Sequence, residues 1–276
     1  SDHPDIDASC LQLRKAGARL SVSSQRADSV TPTRRDALRQ SGLQTVTLAH
    51  EAGSQWLRQV INKNLTEKQI LDSVTAVVSA GIPNLRLYFM IGLPTETEED
   101  MTAIIQLVKR IKHEQLVIGR GQKRLGTITL SVSSFVPKPF TPFQWVPFCD
   151  LSVLKQRIKK LKRGLGAVAN VKVHADVPRW AYIQALLSRG DRQLAPLLAI
   201  LGQQNSSWSK ATKAVNVNPE FYVYRQRQRE ELLPWDFIDH RLRKDYLWNE
   251  YQLALAGKTT EPCDPENCVA CGVCSL

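Results

Sequence analysis

GIPNLRLYFMIGLPTETEED, residues 81 to 100, decides how the first half of the chain folds. Gly81-Ile82-Pro83 stops the preceding helix, since proline neither donates to the helical ladder nor fits inside it. Leu85–Ile91 then runs as a strand, and its LYFMI core is apolar on both alternating faces, the mark of a strand covered on both sides. Gly92 ends it and removes side-chain bulk where a ligand approaches a strand edge. The acids of TETEED fall on the first turn of the next helix, where the helix dipole favours negative charge. The stretch is one strand–turn–helix unit.

The same unit recurs on either side. Ala18–Ser23, Thr45–Ala49 and Thr127–Ser133 are further short apolar runs with strand character, so strands start every 27 to 42 residues. Between them, Pro32–Ser41, Ser54–Asn62, Thr66–Ala80 and Thr97–Lys112 space apolar residues three or four apart, and Thr66 with Gln69 forms a capping box. Strands joined by helical crossovers make a parallel sheet. Four are too few to close a barrel of this kind, so the sheet is open or incomplete.

FVPKPFTPFQWVPF, residues 135 to 148, carries four prolines and five aromatics and is neither a central strand nor a helix interior. It reads either as a linker or as a substrate-facing loop at the strand edge. Beyond it, Leu151–Ala169, Pro178–Ser188, Arg192–Leu201 and Asp239–Ala256 read as helices, with a short strand at Val171–His174. Trp208, Trp235 and Trp248 are expected to form the core of this part.

With 276 residues and 43% hydrophobic content, the chain can bury one large core or two smaller ones. No apolar run is long enough to span a bilayer, and SDHPDID is not a secretory signal, so a cytoplasmic protein with no membrane partner is expected. The net charge of +11 invites contact with an acidic partner such as RNA. Its densest run, KQRIKKLKR over residues 155 to 163, nevertheless reads as the solvated face of an amphipathic helix.

Cys263, Cys268, Cys271 and Cys274 lie within the last fourteen residues, whereas Cys10 and Cys149 are isolated. Four closely spaced thiols in a reducing compartment point to metal, and soft thiolate ligands leave zinc or an iron–sulfur cluster. The uninterrupted Cys-x2-Cys-x2-Cys run is the opening of the bacterial ferredoxin pattern, with Cys263 as the fourth ligand. No acid, base or nucleophile stands out as catalytic. His50 beside Glu51 and His174 beside Asp176 read as local hydrogen bonds rather than dyads.

ARLSVSSQRADS, TVTLAHEAGSQWLRQVINKNLTEKQI and GIPNLRLYFMIGLPTETEED, in that order and spacing, resemble consecutive strands of radical S-adenosylmethionine (radical SAM) enzymes, particularly the methylthiotransferase-like branch. Gly92-Leu93-Pro94-Thr95-Glu96-Thr97 stands where many of those enzymes carry Gly-Xaa-Pro-Xaa-Glu-Thr. The continuation to the terminal cysteines is similar to an uncharacterised iron–sulfur oxidoreductase-like family of that superfamily. The resemblance implies an α/β fold: an incomplete parallel (β/α) barrel over residues 1–148, covering about the third to sixth βα units. A mostly helical extension over 149–257 and a cysteine-rich tail over 258–276 follow.

It also implies S-adenosylmethionine and a [4Fe–4S] cluster as cofactors, held at the strand ends. Reductive cleavage of S-adenosylmethionine gives a 5′-deoxyadenosyl radical, which abstracts hydrogen from substrate, with flavodoxin or ferredoxin as electron donor. The cofactor-binding positions implied are Ser24, Arg26, Glu51, Lys63, Met90 and Gly92. The terminal cysteines become a second site, either an auxiliary cluster or zinc. The Cys-x3-Cys-x2-Cys loop that holds the main cluster in this superfamily is absent from the chain. A piece lacking the first two strands and that loop, inactive alone, is therefore expected. The competing reading is a basic RNA- or protein-binding module with structural zinc.

Overall fold

The structure, a computed structural model, describes residues 3, 5–203, 207–215, 217–264, 266, 268 and 270–274. It divides into two compact units. The first comprises residues 1–133 and 156–176, and the second residues 134–155 and 177–276.

The first unit is an α/β layer built on a four-stranded parallel sheet in the order β1-β2-β3-β4. The strands are β1 (Thr45–Glu51), β2 (Asn84–Ile91), β3 (Ile128–Ser134) and β4 (Val171–Ala175). Ahead of them lie α1 (Ile6–Lys15) and α2 (Pro32–Gln40). The crossovers hold α3 (Gln55–Val60) with α4 (Glu67–Ser79), then α5 (Glu98–Gly121), then α6 (Leu151–Leu165). Strand register pairs Leu48 with Leu87 and Ile128 with Val171.

Burial along β2 alternates strictly. Leu85, Leu87, Phe89 and Ile91 are buried, whereas Arg86 and Tyr88 are exposed. The apolar composition of LYFMI therefore does not translate into cover on both faces; one face meets helices and the other stays open. The covered face joins Val46, Leu48, Ile128 and Leu130 to the apolar stripes of α4 and α5, which pack against each other. Both helices start on capping boxes, Thr66 with Gln69 and Thr97 with Asp100.

Three elements differ from expectation. Ala18–Ser23 forms no strand; only Gln25 bridges to β1, bonding Thr47 and Ala49 through its backbone. Ile6–Lys15, for which the sequence suggests no element, is a helix with Cys10 on its buried side. Residues 156–176, grouped by sequence with the helical extension, carry β4 and belong to the first unit.

The second unit is mainly helical, with α7 (Pro178–Arg189), α8 (Ala195–Leu201), α9 (Trp208–Ala214), α10 (Pro219–Val223) and α11 (Lys244–Leu255). The aromatic segment that follows β3 is its core. Trp145 and Val146 are buried with Leu233, Trp235, Leu247 and Tyr251, and Trp248 packs edge-on against Trp145 at 5.0 Å. Residue 145 is the centre of a cluster, not part of a linker.

Arg189, almost wholly buried, donates to the carbonyls of Tyr222, Gln144, Val146 and Arg225. It thereby satisfies backbone acceptors that irregular chain buries without a ladder. No helix among the described residues is long and apolar enough to cross a membrane.

Candidate functional site

The carboxyl ends of β1 and β2 carry the candidate site, the edge where ligands bind in parallel sheets. At the end of β1 the register slips by one residue between Ala49 and Glu51, and Glu51 sits at φ +67°. A left-handed backbone at a non-glycine residue is sparsely populated, and such residues cluster at functional edges.

The Lys63 ammonium stands 3.5 Å from Glu51 Oε1. Lys63 is held in a tight turn whose neighbours Asn62 and Asn64 both have positive φ. Its backbone N–H bonds the Arg58 carbonyl at 2.7 Å, and its own carbonyl accepts from Arg26 at 3.4 Å. Arg26 also grips Asp28 through two bonds of 3.0 and 2.8 Å, which holds the Asp28 carboxyl below its ordinary range. Arg26, Glu51 and Lys63 are thus brought together by two turns and one bulge. Ser24, half-buried, immediately precedes the Gln25 bridge.

Arg58 does not pair with Glu51, as a plain loop ion pair would have required. It is buried and donates to the carbonyls of Leu65, Ala52 and Gly53 at 2.6 to 3.1 Å, bracing the loop after β1. Gly53 has no room for a side chain, because a Cβ there would come within 2.3 Å of the Ile104 nitrogen on α5. His50 is fully buried against Phe89, and neither ring nitrogen has a hydrogen-bond partner. Burial, then Arg58 and Lys63, pushes its pKa down to about 3, so the ring is a neutral core group and not half of a dyad.

At the end of β2, Met90 lies half-buried and Gly92 turns at φ +82°. The Gly92 N–H donates to Glu96 Oε2 at 2.6 Å. Arg157 of α6 binds the same oxygen and donates to the Glu96 carbonyl at 3.0 Å. Residues 157 and 96 are far apart in sequence, and neither the helical pattern of α6 nor the acids of TETEED predicts the pair. The nearest hint is the glutamate of Gly-Xaa-Pro-Xaa-Glu-Thr. The basic face of α6 is consequently only partly solvated: Arg157 is buried and Lys160 pairs with Glu98 at 2.8 Å.

The Glu96 side chain has no exposed surface, and its Oε1 has no partner. Burial pushes its pKa up to about 7, ahead of the opposing pull of Arg157 and Gly92.

The terminal cysteines are all free thiols, with Cys263 and Cys274 exposed and Cys268 and Cys271 partly covered. The tail is tied to α11 by the Arg243 N–H on the Cys271 carbonyl at 2.9 Å and by the Arg243 guanidinium on Ala270. Gly272, at φ +90°, lies against Arg241 and Arg243. Desolvation, then Cys274, Cys268 and Cys271, raises the pKa of the exposed Cys263 thiol. Among the described residues no three Cys, His, Asp or Glu side chains converge as a ready metal cage.

These observations define an α/β protein with a charged, turn-built site at the carboxyl edge of a parallel sheet. The Radical SAM superfamily model matches residues 1–108, so over that stretch the chain is similar to radical SAM proteins. An uncharacterized protein of Methanocaldococcus jannaschii is 34% identical over 197 residues, covering 71% of this chain and 41% of that protein. An uncharacterized methyltransferase of Pyrococcus horikoshii is 30% identical over 107 residues, covering 38% and 23%. The chain thus spans less than half the length of these curated relatives.

The superfamily implies S-adenosylmethionine and a [4Fe–4S] cluster. The donor set at the β1 edge fits the first: Glu51 offers a carboxylate for an ammonium, Lys63 an ammonium for a carboxylate, and Met90 apolar surface. Their mutual contact is long and partly solvated, so a ligand displaces it at little cost. The chain's cysteines do not fit the main cluster, since none stands in a Cys-x3-Cys-x2-Cys loop.

Glu96 supplies a pH test. Its folded carboxyl titrates near 7 against an ordinary 4.5. The folded state therefore binds more protons between those values, and stability falls as pH rises through them. Glu96→Gln, which keeps a neutral side chain of the same shape, is expected to flatten that fall by an amount on the order of 1–3 kcal/mol. Urea unfolding of both proteins at a series of pH values measures it; parallel pH profiles would contradict the buried-carboxyl account.

Proposed function

We propose that this chain forms the cofactor-facing part of a radical SAM enzyme. The observation that carries the reading is the Glu51–Lys63 pair at the β1 edge, beside Arg26 and next to the Gly92 strand end. Together with a reduced cluster, S-adenosylmethionine supplies a 5′-deoxyadenosyl radical that abstracts hydrogen from substrate. The cluster's ligands are not among this chain's residues, so no step is assigned to it here.

What the chain contributes is binding and orientation. Glu51 accepts from the cofactor's ammonium, Lys63 donates to its carboxylate, and Arg26 fixes the turn that holds Lys63. Met90 and the Gly92 backbone border the adenine, with Ser24 at the ribose or methionine end. Glu96 and Arg157 are positioning residues that hold Gly92 in its turn. A flavodoxin or ferredoxin serves as electron donor. The name of the Pyrococcus relative supports an enzymatic reading, with a small molecule or RNA as substrate.

The reading is tested in a protein that also supplies the Cys-x3-Cys-x2-Cys loop, with its cluster intact and under reductant. Methionine and 5′-deoxyadenosine are expected in equal amounts. Glu51→Gln and Lys63→Gln should each raise the KM for S-adenosylmethionine by about 10- to 100-fold, the worth of one charge-assisted hydrogen bond. An intact preparation that never cleaves the cofactor would overturn the assignment.

For the tail, we propose that Cys263, Cys268, Cys271 and Cys274 hold an auxiliary iron–sulfur cluster. The support is chemical: four thiols within twelve residues of sequence, three of them in an unbroken Cys-x2-Cys-x2-Cys run. Anaerobically purified chain is expected to contain iron and acid-labile sulfide in equal amounts, both lost in Cys268→Ser. Zinc without sulfide would refute the cluster and assign a structural site.

A further inference from the structure

The second unit contains a cavity that the radical SAM reading does not use, and the family match ends well before it. It offers about 850 Å³, within the range of small-molecule sites. Its walls are the end of α7, the turn that follows, and residues 234 to 238. Leu187, Trp235, Phe237 and Ile238 supply most of the apolar surface, with Pro139 and Pro234 beside them. Three of these side chains are poorly covered: Phe237 is 85% exposed, Ile238 46% and Leu187 45%. Large apolar side chains gathered at the rim of one cavity mark a contact surface rather than chance exposure.

The polar groups of the cavity divide into those already engaged and those not. Asp191 accepts from the Gln193 N–H at 2.8 Å and the Tyr222 hydroxyl at 3.1 Å. Ser188 donates to the carbonyls of Pro137 and Gln184. The exposed cation at the lining is Arg192, which forms no ion pair among the described residues.

Two more guanidinium groups stand behind the wall. Arg227 lies over the Trp235 ring at 5.0 Å and donates to the Arg189 carbonyl; its Nε and Nη1 are buried without hydrogen-bond partners. Arg189 spends its donors on backbone carbonyls, which leaves its charge uncompensated. The nearby Glu231 is committed to Arg225. Arg192 therefore lines the cavity beside Asp191, and the Arg227 guanidinium stands behind its Trp235 wall, adding positive charge on that side.

We propose that this cavity binds a small molecule with a flat apolar body and an anionic end, the body between Leu187, Trp235 and Phe237 and the anion at Arg192. Phosphate, sulfonate and carboxylate ends share the required chemistry. The cavity lies in residues beyond the radical SAM match, so the proposal stands or falls independently of the cofactor assignment.

A matched pair of fluorescent probes tests it: 1-anilinonaphthalene-8-sulfonate and its uncharged counterpart N-phenyl-1-naphthylamine. The intact chain is expected to bind the sulfonate saturably at one site and more tightly than the neutral probe. Phe237→Ser and Leu187→Ser remove exposed side chains that the fold does not need. Each should weaken sulfonate binding about tenfold or more, and Arg192→Gln should weaken it severalfold while leaving the neutral probe unaffected.

Trp180→Ser, at a separate exposed aromatic, should change nothing. Circular dichroism melts identical to the parent establish that the variants are folded. Binding that ignores Phe237 and Leu187, or that Trp180→Ser reduces equally, would overturn the site. Equal affinity for the two probes would overturn the anionic end.

Discussion

A carboxylate with no exposed surface sits where β2 gives way to α5, and the working edge of the first unit depends on it. Glu96 holds the Gly92 N–H from one side and the Arg157 guanidinium from the other. A buried acid without partners is expensive, and one partner lost from such a pair leaves the other stranded. That penalty fixes three things together: the left-handed turn at Gly92, the start of α5 one residue later at its Thr97 cap, and the seating of α6. Lys160 on Glu98 repeats the tie one turn along the same helix. With the end of β2 so fixed, the neighbouring end of β1 can present Glu51 and Lys63 in a defined place.

The second unit solves a different problem. Its chain between elements is long and proline-rich, and burying it strands backbone carbonyls. Arg189 gathers four of them, and Gln144 receives the Trp235 indole N–H at 2.7 Å. Burial lowers the Arg189 pKa to about 9, with Arg227 and Arg225 adding to the effect. The arginine therefore works as a fork of donors that satisfies irregular backbone.

Local signals carried the elements that local physics builds. The Thr66 capping box, the proline stop before β2 and the positions of β1 to β3 were legible, because each depends on residues a few positions apart. The resemblance, resting on the motif around Gly92, agrees with the family model over residues 1–108 and with the parallel sheet. Long-range pairings were not legible. Nothing near Arg157 announces Glu96, and nothing near Glu51 chooses Lys63 over Arg58. The choice is made by Arg58 finding three carbonyls in the loop it braces. Ala18–Ser23 looks like a strand by composition, yet the chain meets β1 only at Gln25. The aromatic segment at 135 to 148 was ambiguous because its partners, Leu233, Trp235 and Tyr251, lie roughly 90 to 110 residues on.

The central claim is that S-adenosylmethionine contacts this chain at the ends of β1 and β2. The chain has two methionines, Met90 at that edge and Met101 fully buried in α5. Carbon-13 labelling of their methyl groups gives two NMR signals that separate the site from the core. Titration with unlabelled S-adenosylmethionine should move the Met90 signal saturably and leave Met101 in place. A Met90 signal that stays still at saturating cofactor, or that moves only together with Met101, would contradict the account.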